Sequence, residues 1–322
     1  MTRRAFLAGA AAALGLPRSA WAADEFRSRR VRLIVPFAAG GTLDILARLL
    51  GEKLSERWGP RAIVENRPGA AGIIASKELL SSPPDGHSLL LVAGGHAINP
   101  LLHASLPYDT LSDFMPVSLL AEAGNVVVVG QNSPLKSFAQ FLAEAKANPG
   151  KFQYGTAGIG SSVHLSGELL ARMADIRISP VHFRGDSESL TAAMGGHIPL
   201  SFNSAPAAIA QVGQGGLRAL AVTSAARLPN LPDVPTIAEA GVPGFEVTNW
   251  WGVVAPSGLR PEILARLGAD IAAAGAELRD SPKVRDLGIR IVAGPPAEFD
   301  ALIRRELERW RPVIEAAGIK AG

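Results

Sequence analysis

The sequence predicts an α/β protein with mostly parallel sheets flanked by helices, and three observations lead to this prediction. Short apolar runs alternate with segments of helical period, a pattern typical of parallel sheets. The alternation occurs in two successive sets. The chain has 322 residues, which is more than one hydrophobic core usually supports, so we expect two domains.

The first strand and the first helix frame a glycine-rich turn. Residues 31–35 form a short apolar run that ends at Pro36, as expected for a strand buried on both faces. Apolar residues then recur at three- and four-residue steps over 42–58, the spacing of one helical face. The segment between them, called here the first turn, comprises Ala39, Gly40, Gly41 and Thr42. Because Thr42 can cap only one of the free helix-end amides, the remaining donors suit an anion, although an ordinary strand-to-helix turn has the same composition.

The rest of the first set contains two strands and one helix. Strands are predicted at 62–64 and 89–92, and a helix at about 73–80 lies between them. A loop is expected after the strand at 89–92, on the edge of the sheet where ligands of parallel sheets bind. This loop carries the candidate residues Gly94, Gly95, His96 and Asn99.

The second set repeats the architecture of the first. A strand is predicted at 126–129 and a helix at 137–147. The second turn, residues 158–162, follows an apolar strand and opens an amphipathic helix. The remaining predicted elements are strands at 178–183, 198–203, 217–222, 250–255 and 289–292, and helices at 187–194, 261–279, 297–316 and from Pro206.

We expect the chain to cross between its two domains near 122–125 and to return near 223–232. Domain 1 then comprises residues 23–123 and 226–322, and domain 2 comprises residues 124–225. We expect each domain to present one turn to a shared cleft, where amides and hydroxyls would hold a carboxylate by charge-assisted hydrogen bonds. The alternative is that both turns are simply good helix starts.

Residues 1–22 have the features of an export signal. Paired arginines precede an apolar run over 5–16, and Ala20 and Ala22 supply small residues at the cleavage position. This pattern is typical of a twin-arginine signal. Since the apolar run is too short to span a bilayer as a helix, the sequence predicts an exported periplasmic protein.

The charge balance excludes the usual basis for nucleic-acid binding. Three arginines lie in the signal, so 29 of the 32 basic residues remain, against 29 acidic residues. The exported chain is therefore neutral and should have no nucleic-acid partner. Because the chain contains no cysteine, it cannot form disulfides or carry a lipid-modified amino-terminal cysteine.

Few side chains in the sequence indicate a ligand-binding or metal-binding site. Asp44 lies in the first turn of a helix, where an acid is favourable, and its main expected role is to tie down the loop. His164 lies just inside the helix that follows the second turn. No histidine has metal-ligand spacing with a second histidine or acid, and no cofactor motif occurs, so we expect neither a metal nor a cofactor.

The enzyme alternative is an exported serine hydrolase. Ser133 and Lys136 match the pattern S-x-x-K, but the companion motifs S-D-N and K-T-G are absent. The sequence also lacks G-x-S-x-G and a P-loop. We therefore expect a protein without catalytic activity.

Several segments in one order resemble the Bug family, the extracytoplasmic solute receptors of tripartite tricarboxylate transporters. They include VPFAAGGTLDILARLL, VENRPGAAG, YGTAGIGSSVHLSGELL and WWGVVAP. The resemblance runs from residue 31 to the carboxyl terminus. It implies a two-domain periplasmic binding protein fold of type II, a monomer that closes around a small carboxylate and delivers it to membrane transporter subunits. A membrane sensor kinase as the partner instead is a further alternative.

The resemblance also implies which residues bind the ligand. The loops at 37–42 and 158–164 would hold its carboxylate, and positions 94–96, 183–185 and 202–204 would set specificity for its distal end. The chain departs from the common pattern at Leu43, Gly94, Gly95, Phe183, Arg184 and Asn203. The candidate ligand-binding residues are Phe37, Ala39, Gly40, Gly41, Thr42, Asp44, Gly94, Gly95, His96, Asn99, Gly158, Ser161, Ser162, His164, Phe183, Gly185 and Asn203.

Overall fold

The computed structural model describes residues 29–59 and 62–321. The export signal predicted at 1–22 lies outside these residues. The strands are β1 (Val31–Val35), β2 (Ala62–Asn66), β3 (Ser88–Ala93), β4 (Phe114–Gly130), β5 (Phe152–Thr156), β6 (Ile178–His182), β7 (Leu200–Ser204), β8 (Leu217–Val222), β9 (Thr248–Pro256) and β10 (Arg290–Gly294).

The helices alternate with these strands over much of the chain. They are α1 (Thr42–Trp58), α2 (Ile73–Leu80), α3 (Gly95–Leu102), α4 (Phe138–Ala147), α5 (Ser162–Ala174), α6 (Asp186–Met194), α7 (Ala205–Gly213), α8 (Pro261–Leu278), α9 (Pro282–Asp286) and α10 (Pro296–Ala317). A short 3-10 helix, Ala70–Gly72, precedes α2. No helix in the described part of the chain is long and apolar enough to cross a membrane.

The strands form one curled sheet in the order β2-β1-β3-β9-β4-β7-β5-β6, and β8 and β10 also pair with β4. The predicted α/β class is confirmed. Pairing is parallel in the two outer parts, β2-β1-β3 and β7-β5-β6. It is antiparallel around β4 and β9 in the centre, so the sheet is more mixed than the alternation predicted.

Strand β4 connects the two parts of the sheet. Its residues 114–124 pair with β9, and from Asn125 onward it pairs with β7 and β8. The length of the chain predicts two smaller sheets, one in each domain. That prediction is wrong, because the 17 continuous residues of β4 belong to both parts of one sheet. Only the end of this strand was predicted, at 126–129. The division into two domains stays a prediction.

Helix α10 packs against two apolar clusters. Phe299 and Ile303, near its start, belong to a cluster around Trp250 of β9. Trp310 and Ile314, near its end, belong to a cluster that contains β5 and α5. One helix thus supports both parts of the sheet.

Candidate functional site

The first turn leaves the start of α1 without a side-chain cap. The helix begins at Thr42, and its N-cap residue is Gly41 in an extended conformation, with no capping side chain. The expectation that Thr42 caps the helix is wrong, because Thr42 is already helical. The first amides of α1 therefore remain available to a ligand.

Asp44 fixes the loop before this helix. Its carboxylate accepts hydrogen bonds from the Gly40 amide at 2.9 Å, from Asn66 Nδ2 at 2.9 Å, and from Arg48 Nε and Nη2 at 3.0 Å each. Asn66 Nδ2 also donates to the Phe37 carbonyl. Burial alone would raise the pKa of Asp44, but the hydrogen bonds from Arg48, Gly40 and Asn66 hold it below its usual value. This arrangement matches the loop-anchoring role expected for Asp44.

We expect Asp44→Asn to lower the free energy of unfolding by about 1–3 kcal/mol at pH 7, because a buried charged acceptor is lost. The folded-state pKa of Asp44 lies below its unfolded value of about 3.9. The contribution of the Asp44 carboxylate to stability is therefore present above about pH 4 and is lost as pH falls through the folded-state pKa. Urea unfolding between pH 7 and pH 3 should show the variant and the parent converging at the acidic end.

The control is Asp300→Asn, which removes an acid paired with an arginine four residues later on an exposed face. The Asp300 side chain is 39% exposed, whereas that of Asp44 is 4% exposed. Because this pair lies on the surface, we expect its loss to lower the free energy of unfolding by at most about 0.5 kcal/mol. Equal losses for the two variants would contradict the anchoring role.

The segment after β3 is a helix, so the loop predicted there is wrong. Helix α3 contains Pro100, which cannot donate to the carbonyl of His96 four residues earlier. Thr110 Oγ1 donates to that carbonyl instead, at 3.4 Å. This long-range bond explains how a proline is accommodated in a helix of eight residues, and nothing local in the sequence indicates it.

His96 is a buried neutral histidine at the edge of a small cavity. Burial lowers its pKa to about 4, and its Nε2 has no hydrogen-bond partner among the described residues. The cavity measures about 30 Å³ and is also lined by Phe37, Gly95 and Asn99. This volume admits a water molecule, and the unpaired nitrogen offers it a partner. Asn99 Nδ2 donates to the Ala71 carbonyl at 3.1 Å.

Many polar groups of the second turn are already hydrogen-bonded within the turn or to neighbouring side chains. Ser161 caps α5 by accepting from the His164 amide at 3.3 Å, and its hydroxyl donates to the Gly158 carbonyl at 2.6 Å. The Gly160 amide donates to His164 Nδ1 at 3.1 Å, and the Gly158 amide donates to Thr156 Oγ1 at 3.2 Å. The two turns are therefore not equivalent, since side chains already occupy several donors of the second.

The start of α3 lies next to residues of both loops. Gly95 and Phe37 line the cavity beside His96. Gly94 lines a second cavity of about 20 Å³ together with Gly160 and Ser162. Ala39, Gly40, Gly41 and Thr42 line neither cavity.

Phe183 lies next to the second turn, Gly185 precedes α6, and Asn203 is bonded to the first residue of α6. The Phe183 amide donates to the Thr156 carbonyl at 3.0 Å, and Gly185 is the N-cap of α6. Asn203 is fully buried and its Nδ2 donates to Asp186 Oδ1 at 3.2 Å, while its Oδ1 has no partner among the described residues.

Sequence reasoning missed four residues that shape this region. Asn66 donates to the Phe37 carbonyl, 29 residues earlier, and Asp186 accepts from Ser204 at the end of β7, 18 residues later, so no local pattern indicates them. Glu168 follows His164 by four residues, a helical spacing that was readable in the sequence. Glu306 of α10 lines the second cavity and accepts from the indoles of Trp250 and Trp310.

Ser133 and Lys136 do not face each other as a nucleophile and its base. Lys136 Nζ donates to the main-chain carbonyl of Ser133 at 2.7 Å, and Ser133 Oγ accepts from the Leu135 amide at 3.2 Å. Both groups thus stabilise the turn before α4. In the described part of the chain, no three histidine or acidic side chains are placed to hold a metal ion.

The sequence of this chain matches the model of one protein family over most of its length. The model of the tripartite tricarboxylate transporter family receptor matches residues 46–319. A solved structure of R. palustris Rpa4515 with adipate has 36% identity and a TM-score of 0.82, and covers 91% of this chain and 98% of that one. The periplasmic binding protein BugD has 29% identity and a TM-score of 0.78, with coverages of 91% and 99%. MatC from Rhodopseudomonas palustris with bound malate has 31% identity and a TM-score of 0.76, with coverages of 89% and 99%.

Proposed function

Because this chain belongs to the tripartite tricarboxylate transporter receptor family, we propose that it is a periplasmic receptor that captures a small organic acid. It delivers this acid to the membrane subunits of a tripartite tricarboxylate-type transporter. Members of the family are receptors, and two similar structures contain the dicarboxylates adipate and malate.

The observation that carries this proposal is the uncapped start of α1. Asp44 and Asn66 fix the loop before this helix, so the free amides are held in place before a ligand arrives. Arg48 is already bonded to Asp44, so amides and hydroxyls are the groups of this loop that hydrogen-bond to an incoming carboxylate.

A thermal-shift screen of organic acids tests the proposal. The panel contains adipate, malate, tricarboxylates and aromatic monocarboxylates, with sugars and metal ions as controls. An acid that binds only the folded state stabilises it by about 2.7 kcal/mol at 100 times its dissociation constant. A shift with sugars or metal ions, and with no carboxylate, would contradict the proposal.

Delivery to a transporter needs a separate measurement. Cells that lack the receptor should lose uptake of the radiolabelled acid that the screen identifies, and the intact chain should restore it. Unchanged uptake together with altered transcription would instead favour a membrane sensor kinase as the partner.

The hydroxyl of Thr42 should contribute to carboxylate binding. We expect Thr42→Val, which keeps the shape of the side chain, to weaken binding by about 0.5–1.5 kcal/mol if one neutral hydrogen bond is lost. Titration calorimetry with the identified acid measures this. The control is Thr191→Val on the exposed face of α6, whose hydroxyl donates within its own helix to the Ser187 carbonyl. Equal affinities for the Thr42 variant and the parent would remove Thr42 from the site.

A further inference from the structure

The side chain of His164 is hydrogen-bonded to the main chain of the second turn. The side chain of His164 is only 4% exposed, and its Nδ1 accepts the Gly160 amide at 3.1 Å. An amide can donate only to an unprotonated ring nitrogen. In this arrangement the neutral imidazole therefore carries its proton on Nε2, which lies 3.6 Å from Glu168 Oε1.

Glu168 belongs to a polar cluster beneath the turn. Tyr154 Oη donates to its carboxylate at 2.6 Å. Burial would raise the pKa of Glu168, but the hydrogen bonds from His164 and Tyr154 hold it below its usual value. The carboxylate is thus ionised at neutral pH and faces the Nε2 side of the His164 ring.

A second histidine reaches the same turn through a threonine. His182 Nδ1 lies 2.9 Å from Thr156 Oγ1, which in turn accepts the Gly158 amide. The rings of His164 and His182 meet edge to face at 4.6 Å between centroids. Burial lowers the pKa of His182, and the neighbouring His164 lowers it further.

The other elements around α5 complete the electrostatic setting of His164. Helix α10 carries Glu306 and Arg309, and Glu306 lines the cavity beside Ser162. Helix α3, whose Leu102 packs on Gly160, carries His96 and is followed by His103. Strand β7 has no titratable residue. Glu168 is therefore the acid in direct contact with the His164 ring.

We propose that His164 is a positioning residue that keeps the second turn in its ligand-accepting conformation as long as Nδ1 is unprotonated. The inference rests on the proposed function, because the turn is taken to hold a carboxylate. Protonation turns Nδ1 into a donor that opposes the Gly160 amide, so the turn must move. Glu168 balances the new charge, which leaves little extra attraction for an anion. Loss of the acceptor at Nδ1, by protonation or by substitution, therefore weakens binding.

Two substitutions of His164 separate this role from simple packing. His164→Asn keeps an acceptor oxygen near the position of Nδ1. His164→Gln places its polar group near the position of Nε2 and leaves the Gly160 amide without an acceptor. His197→Asn, at an exposed histidine in the loop after α6, is the control.

Calorimetry with adipate at pH 7.5 is the binding test. We expect His197→Asn and His164→Asn to bind adipate like the parent. His164→Gln should bind adipate roughly tenfold more weakly, as for one lost hydrogen bond. Equal affinities of the two His164 variants would overturn the inference.

Nitrogen NMR of the ligand-free protein gives a readout that needs no ligand. We expect His164 to be in the Nε2-protonated tautomer at pH 7.5, and the Gly160 amide resonance to move in His164→Gln but not in His164→Asn. A proton on Nδ1 at pH 7.5 would overturn the positioning role even if adipate binds. If no organic acid binds but the tautomer is as expected, the proposed function fails and the role of His164 in the turn stands.

Discussion

Gly160→Ala is expected to lower the free energy of unfolding by about 2–4 kcal/mol and to weaken carboxylate binding. Two costs add at this position. Gly160 has a φ of +72°, a left-handed conformation that strains any residue with a Cβ. A Cβ built there would also lie 2.3 Å from Leu102 Cδ1, so α3 or the second turn must shift. Urea unfolding and calorimetry with the identified acid measure the two effects.

A matched glycine separates these costs. Gly215 has a φ of +76°, and a Cβ there meets no atom within 4 Å. Gly215→Ala should therefore show only the backbone cost of about 1–2 kcal/mol and should leave binding unchanged. If both variants lose the same stability and bind equally well, the close packing of α3 on the second turn has no energetic role.

Phe299→Ala is expected to have the largest effect on stability, about 3–5 kcal/mol, because it empties a fully enclosed aromatic site. Phe299 has no exposed surface and packs edge to face on Trp250 with ring centroids 5.5 Å apart. Its ring also covers the bare backbone of Gly252, where a Cβ would lie 2.1 Å from Phe299 Cζ. The control is Phe37→Ala, the same change in a side chain that is 43% exposed. It should lower the free energy of unfolding much less.

A double-mutant cycle tests whether Phe299 and Gly252 share one space. Gly252→Ala alone should destabilise by about 1–3 kcal/mol through overpacking. In the Phe299→Ala background the added methyl occupies part of the cavity, so the same change should be neutral or stabilising. Strictly additive losses would show that the two positions do not interact.

Much of the secondary structure was predictable because its signals are local. The change of period at the first turn gave β1 and α1, since buried strands and amphipathic helices differ in spacing. Helix α3 was missed because Pro100 and the glycines before it are typical of a loop. The carbonyl that Pro100 leaves without its usual donor accepts from Thr110, a residue outside the segment. The first part of β4 was missed because its partner, β9, lies more than 100 residues further along the chain.

The candidate site was predictable in part for the same reason. Composition located both turns, because glycine before a helix is a local feature. It could not show that the two turns differ, since the donors of the second are taken by Thr156 and by the ring of His164. Asn66 and Asp186 were missed because their partners are fixed only when the sheet has formed.

Helix α10 has a consequence for how this protein melts. Its early residues Phe299 and Ile303 belong to one cluster, and its later residues Trp310 and Ile314 belong to another. Neither cluster can lose its packing without exposing apolar side chains of the shared helix. Calorimetric melting should therefore be a single cooperative transition, with a van't Hoff enthalpy equal to the measured enthalpy.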